Sequence, residues 1–173
     1  MNSDQEIAGA ENPQIRLFTV KKTVSEKPLE EFIGKWDSCT PDSVRQFSAV
    51  GYFFGREIQR VLRVPVGLIH SSWGGTPAES WTSEAALRWD RSLEPILWQW
   101  QRTLAQYPSA KQRYDRQLKE WEVQRERAAA EGKQAPPRPA APQGPGSPWT
   151  PSGLYNAMIA PMISFAIRGA IWY

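Results

Sequence analysis

The sequence predicts an α/β fold on three observations. Apolar and polar residues alternate over Ile15–Val20, an amphipathic helical stripe follows Thr40, and Val66–Ile69 is an unbroken apolar run. Strand, helix and strand in that order point to a parallel sheet, because parallel neighbours need a long crossover between them.

The first strand follows the breaker Asn12-Pro13 and is rich in strand-favouring residues. A polar loop is expected through Trp36. Thr40-Pro41-Asp42 then reads as a helix start, with a hydroxyl N-cap, proline at the first helical position and an acid in the first turn. The helix is expected to run to about Leu62. Its stripe of Phe47, Val50, Gly51, Phe54, Ile58, Val61 and Leu62 recurs at three- and four-residue steps and predicts a core-facing side, on which Gly51 and Gly55 would admit a neighbouring backbone. Val64-Pro65 ends it, since proline disfavours helical geometry in the residue before it. Val66–Ile69 reads as a strand buried on both faces. It empties into His70-Ser71-Ser72-Trp73-Gly74-Gly75-Thr76-Pro77-Ala78-Glu79-Ser80-Trp81. This loop is dense in glycine, hydroxyls and tryptophan, and it lies at the strand's carboxyl end, where open α/β sheets bind ligands.

From Glu84 the pattern becomes helical. Trp89, Leu93, Ile96, Leu97, Trp100 and Leu104 form one set, and Pro108 separates them from Tyr114, Leu118 and Trp121, which predicts a hairpin of two helices. Asp115 with Lys119 and Arg116 with Glu120 are spaced for pairing on its solvated face. Gln134–Pro151 holds seven of the 15 prolines together with Gly144 and Gly146, the composition of an extended linker. Order resumes at Leu154, and Ile167–Tyr173 reads as another buried strand. The organisation expected is therefore 1–83 as the first part of the sheet domain, 84–133 as an inserted helical hairpin, 134–151 as a Pro-rich linker and 152–173 as a continuation that closes on a core strand. There is no internal repeat.

Composition narrows the function. Among 173 residues, 21 are basic and 18 acidic. By segment, basic against acidic residues run 9 to 10 up to Ser83, 10 to 8 from Glu84 to Lys133, and 2 to none thereafter. No basic patch is concentrated anywhere, so nucleic acid is not an expected partner. The single cysteine, Cys39, excludes an internal disulfide and a cysteine-based zinc cage, and with no histidine near it in sequence it reads as inert. No window reaches the ~18 uninterrupted apolar residues of a membrane span. The start, Met1-Asn2-Ser3-Asp4-Gln5-Glu6, is polar and acidic where a secretory signal is basic and then apolar. Either the chain is cytosolic or its true beginning is missing.

The chemistry concentrates in Ser72-Trp73-Gly74-Gly75-Thr76. Two glycines after a buried strand let backbone N–H groups approach a ligand and form an oxyanion hole, often the largest single catalytic contribution. The same pair also fits a turn that simply needs unusual backbone angles. Both readings stay open on the residues alone.

Phe47-Ser48-Ala49-Val50-Gly51-Tyr52-Phe53-Phe54-Gly55-Arg56-Glu57 and Val64–Trp81 resemble sialate O-acetylesterase, a branch of the SGNH esterases. Ile15–Val20 and Gly153–Met162 through Trp172-Tyr173 are similar to the same family. The resemblance implies a partial flavodoxin-like three-layer α/β/α domain (SGNH hydrolase) with the helical hairpin inserted. It implies hydrolysis of O-acetyl groups on sialic acids or other sugars by serine acyl transfer, without metal or other cofactor. It also implies a serine in Gly-Gln-Ser-Asn, an asparagine in Gln-Gly-Glu-Ser-Asn and an Asp-x-x-His pair. Only the glycine block has a counterpart here, at Gly74 and Gly75, as backbone oxyanion donors. The chain opens just after the first motif would lie and closes just before the second would begin, so a fragment, inactive alone, is expected. Bacterial members are commonly exported, but sequence assigns this chain no compartment.

Other residues compete for roles. Ser3 follows Asn2, the reverse of Ser-Asn, and is expected in a disordered terminus. His70, the only histidine, lies on the glycine block outside any Asp-x-x-His segment and is expected to be a satisfied loop or core residue. Ser71 and Ser72 are expected to have no base beside them. Trp73, Thr76, Glu79 and Trp81 are the candidate substrate contacts, since an aromatic face beside hydrogen-bonding groups suits a sugar, although the tryptophans could equally pack the loop onto the sheet. Packing is the expectation for Trp89, Trp98, Trp100 and Trp121, with Trp98 lying off the stripe. The competing function is a non-catalytic carbohydrate-binding or partner-docking protein using the Trp-rich loop and hairpin.

Overall fold

The computed structural model describes residues 2–172. Two compact units are present: one runs to Thr76 and resumes at Tyr155, and the other is Pro77–Leu154.

The first unit is built on a sheet ordered β2-β1-β3, with β1 (Asn12–Thr19) at its centre. As expected, β1 pairs in parallel with β3 (Val66–His70), aligning Ile15 with Val66 and Leu17 with Leu68. β2 (Trp36–Cys39) pairs antiparallel to β1 and falls at the end of the segment expected to be loop. The ladder continues one step beyond β1, where Val20 N–H donates to the His70 carbonyl at 3.0 Å.

Alternation along β1 places Ile15 and Leu17 on one face, at 0% and 2% exposure, within a core shared with Ala10, Cys39, Val44 and Tyr52. Phe18 turns to the other face and meets Phe32 at 5.2 Å and Trp36 at 5.3 Å between ring centroids. β3 is only half-buried, which corrects the expectation of burial on both faces: it pairs with β1 alone, and Gly67 is exposed.

The single helix expected from Pro41 is two. α2 (Pro41–Arg45) starts on a Thr40–Ser43 capping box, and α3 (Ala49–Leu62) starts afresh where the Ser48 hydroxyl accepts from Gly51 N–H at 3.0 Å. A side chain that caps a new first turn competes with continuation of the previous one, so the helix breaks at Ser48. Arg63 then closes α3 in the left-handed region, at φ 53°.

The face of α3 turned to the sheet also differs from the expected stripe. Tyr52 and Gly55 are buried, while Val50, Phe54, Val61 and Leu62 are exposed. The helical period is as expected but its phase is rotated, because Gly55 offers the closest approach to the sheet at Leu68. α1 (Ser3–Ala8) precedes β1, so Ser3 begins a helix instead of lying in an unstructured terminus; Glu6 on it pairs with Arg56 at 2.7 Å.

After Thr76 the second unit has a 3₁₀ turn at Ala78–Trp81, α4 (Glu84–Trp89) and α5 (Glu94–Ala130). The expected hairpin about Pro108 does not form: α5 passes through Pro108 without ending, and the helical pair here is short α4 and long α5. None of α5 is buried, so favourable propensity along 37 residues outweighs one lost backbone bond. Asp115 pairs back to Lys111 at 2.6 Å and not forward to Lys119. Gln134–Pro151 lacks regular structure until its final turns, yet it is not a free spacer. Trp121 Nε1–H donates to the Pro136 carbonyl at 2.7 Å, and buried Gly144 lies against the Tyr107 ring.

In the first unit a π-helical turn, Tyr155–Ile159, holds the loop before β2: Leu29 N–H donates to the Asn156 carbonyl at 2.9 Å and Asn156 Nδ2 donates to the Ser25 carbonyl at 3.1 Å. Ile167–Trp172, expected to be a core strand, is exposed and outside the sheet, so no ladder partner replaces its backbone contacts with water; Tyr173 lies outside the described residues. No helix among the described residues is long and apolar enough to cross a membrane.

Candidate functional site

The candidate site is the segment leaving the carboxyl end of β3. His70 is the last residue of β3 and Ser72 lies two residues on, so in extended chain both side chains fall on one side. His70 Nε2 is 2.6 Å from Ser72 Oγ. Ser71 points the other way and donates to the Met158 carbonyl at 3.0 Å. The expectation that neither serine has a base beside it is therefore corrected for Ser72, whereas the Ser71 hydroxyl is given to a backbone carbonyl.

His70 is also not the fully satisfied residue expected. Its Nδ1 is buried without a hydrogen-bond partner, and the Phe47 ring packs edge-on at 5.5 Å. Burial first, and the Lys22 ammonium second, push the imidazole below its ordinary value near 6.5, so the ring is a free base at neutral pH.

Beyond Ser72, the half-buried Trp73 ring has the Lys22 ammonium 5.7 Å from its centroid, a cation–π contact. Thr76 Oγ1 donates to the Trp73 carbonyl at 2.6 Å, which closes the turn holding the glycines.

Gly74 and Gly75 are both exposed, and a Cβ on either would meet nothing within 4 Å. They differ in backbone. Gly75 has φ +76°, which L residues adopt only under strain, whereas Gly74 has no positive φ and no crowding to explain it. The turn alone therefore accounts for Gly75 but not for Gly74.

The first unit thus brings Trp73, Gly74, Gly75 and Thr76 together in one loop. Glu79 and Trp81 fall in the second unit, in the 3₁₀ turn Ala78–Trp81, where the Glu79 carbonyl accepts from Ser152 N–H at 2.8 Å. Sequence reasoning missed Lys22 and the pairing of Ser72 with His70. The first carries no local signal, but the second could have been found from the two-residue spacing at a strand end.

Elsewhere, Cys39 is buried, donates to the Ala10 carbonyl at 3.1 Å, and has its thiol pushed up by burial, as an inert cysteine should. Among the described residues no group of three or more His, Cys, Asp and Glu side chains is placed to hold a metal ion.

No family model matches the sequence. The chain is similar to the sialate O-acetylesterase of Rattus norvegicus, with 30% identity over 184 residues that take in 99% of this chain and 31% of that protein. It is 27% identical over 183 residues to the sialate O-acetylesterase of Mus musculus, covering 99% of this chain and 30% of that one. The human protein of the same name matches 50% of the chain at 33% identity, over 18% of its own length. Among solved structures, a carbohydrate acetylesterase from Xanthomonas citri aligns with TM-score 0.61 and 27% identity over 99% of this chain and 28% of that one. The chain thus spans about a third of the length of the relatives it matches from end to end.

Proposed function

This chain is sialate O-acetylesterase-like along 99% of its length, and from that premise we propose that it forms the oxyanion-loop portion of a carbohydrate esterase that removes O-acetyl groups from sialic acids or related sugars. The carrying observation is the Gly74-Gly75 turn at the carboxyl end of a parallel strand, with Gly74 open and unexplained by the turn itself. In serine acyl transfer, negative charge develops on the former carbonyl oxygen, and backbone N–H groups of Gly74 or Gly75 would stabilise it. Trp73 and Thr76 of the first unit would contact the acetylated sugar; Glu79 and Trp81 are kept as candidate sugar contacts of the second unit by themselves.

The 173 residues contain no Gly-Gln-Ser-Asn, no Gln-Gly-Glu-Ser-Asn and no Asp-x-x-His. Loop chemistry of this kind stabilises a transition state but supplies neither that serine nor that base, so the chain alone is proposed not to sustain turnover. The test is acetate release from an O-acetylated sialic acid by the full chain, together with tryptophan fluorescence on adding the same sugar. No sustained release, with a fluorescence response lost in Trp73→Ala, supports the reading. Sustained release abolished in Ser71→Ala, Ser72→Ala or His70→Ala overturns the claim of inactivity.

A second reading, non-catalytic binding through the tryptophan-rich helices, is favoured by the 91% exposure of Trp89 and 65% exposure of Trp98, where packing was expected. On that reading the response to sugar or partner is lost in Trp89→Ala and Trp98→Ala and kept in Trp73→Ala.

A further inference from the structure

We propose that Ser72 is an acyl-accepting nucleophile with His70 as its general base, and that it takes one acyl group from an ester with a good leaving group without going on to turn over. The claim goes beyond the esterase reading and does not need it, since it concerns a stoichiometric reaction of one side chain.

Three observations carry it. The Ser72 hydroxyl lies 2.6 Å from His70 Nε2, the contact by which a hydroxyl hands its proton to a base. Ser72 is half-buried, not sealed in the core, and the exposed Gly74-Gly75 turn begins two residues on in the chain, so a small ester can reach it. Ser71, the neighbouring hydroxyl, is committed to the Met158 carbonyl and serves as an internal control.

The limit on the chemistry is equally visible. For the Ser72 hydroxyl to donate to Nε2, the ring hydrogen must sit on Nδ1, and that atom is buried with no acceptor. A triad would place a carboxylate there to fix the tautomer and to stabilise the imidazolium formed as the proton arrives. The charged group felt at His70 is instead the Lys22 ammonium, which opposes that cation. Acylation therefore demands an activated donor, and deacylation, which needs the same base to deprotonate water, stalls.

With p-nitrophenyl acetate the step balances as follows. The Ser72 Oγ–acetyl carbon bond forms, the bond from that carbon to the phenolic oxygen breaks, nitrophenolate leaves, and the hydroxyl proton passes to His70 Nε2 and thence to solvent.

The experiment is to incubate the full chain with p-nitrophenyl acetate and locate and quantify acetylation by peptide mass spectrometry. The expected result is up to one acetyl per chain on Ser72, absent in Ser72→Ala, kept in Ser71→Ala, and formed about a hundredfold more slowly in His70→Ala. In the unaltered chain the rate falls as His70 protonates, and this arm decides the matter where circular dichroism finds His70→Ala unfolded. Acetylation confined to lysines or other serines, or a Ser72 rate indifferent both to His70→Ala and to pH below about 6.5, overturns the proposal. Sustained nitrophenolate release from Ser72 also overturns it, as turnover, whereas the esterase reading is judged separately on the sugar.

Discussion

Gly55 of α3 lies so close to Leu68 of β3 that a Cβ on the glycine would stand 2.5 Å from the leucine Cδ1 and 2.6 Å from Cδ2. This contact sets how near the helix sits to the sheet. Gly55→Ala gains up to about 1 kcal/mol of helix propensity but forces Leu68, which packs on the core, to move. Overpacking of that kind costs about 1–3 kcal/mol, so the variant is expected to be net destabilised by about 1 kcal/mol. Urea unfolding followed by circular dichroism measures it. A variant as stable as the unaltered chain would mean that α3 is not clamped at this point.

Gly74 and Gly75 should separate under the same substitution. Gly75→Ala places a Cβ at φ +76° and is expected to cost about 1–2 kcal/mol. Gly74→Ala meets no neighbour within 4 Å and no positive φ, so stability should change by less than about 0.5 kcal/mol. If Gly74 serves to let a ligand approach its backbone, Gly74→Ala weakens the fluorescence response to acetylated sugar while leaving the melting curve in place. Equal stability losses at both positions would remove the distinction on which a binding role for Gly74 rests.

The pattern of successes along the chain follows from which interactions are local. Alternation over Ile15–Val20, the apolar run Val66–Ile69 and the cap at Thr40 each act within a few residues, and β3, its parallel pairing with β1 and the start of α2 are where these signals put them. β1 itself begins early, at Asn12 in the expected breaker, because Asn12 pairs with Cys39 of β2. The phase of α3 was not legible, because it depends on Gly55 meeting Leu68, a contact across the fold. β2 carries only four residues and gains its identity from pairing with β1. Ile167–Trp172 has the composition of a strand, but a strand exists only against a neighbour, and none is paired with it. At the site, the glycine loop was legible as residues. The pairing of His70 with Ser72 was legible only as a two-residue spacing at a strand end, and it forms because the chain stays extended past β3, with Ser71 on the opposite side bonded to Met158.

Histidine gives a pH signature that is easy to isolate, because the chain has only one. The folded state holds His70 below its ordinary value near 6.5, so on acidification the unfolded chain takes up its proton first. Stability therefore carries a His70 contribution that is complete above the unfolded value and is lost as pH falls through the folded one. The midpoint of thermal unfolding should decline from about pH 7.5 toward pH 5.5 in the unaltered chain, and this decline should flatten in His70→Gln. The imidazole proton signals should titrate below 6.5 by nuclear magnetic resonance. Titration above that value would mean that an acid, not burial and Lys22, governs the ring.

Trp121 governs whether the proline-rich segment is held or free. Its indole N–H donates to the Pro136 carbonyl at 2.7 Å, and its ring has the Arg125 and Arg138 guanidinium groups 5.3 and 5.8 Å from the centroid. Pro136 has no N–H and offers only its carbonyl, which the indole N–H meets, so this bond is the directional part of the contact and the cation–π stacking the general part. Trp121→Phe keeps an aromatic face for both arginines and removes only the donor, at a cost of about 0.5–1.5 kcal/mol to the held state. Because this stretch lies outside the helices and lacks a backbone ladder, that loss should appear as local opening and not as global unfolding. Proteinase K should nick Gln134–Gln143 several-fold faster in Trp121→Phe than in the unaltered chain, with the unfolding midpoint unchanged. Equal nicking rates would show that ring stacking and the Tyr107–Gly144 contact hold the segment without the hydrogen bond.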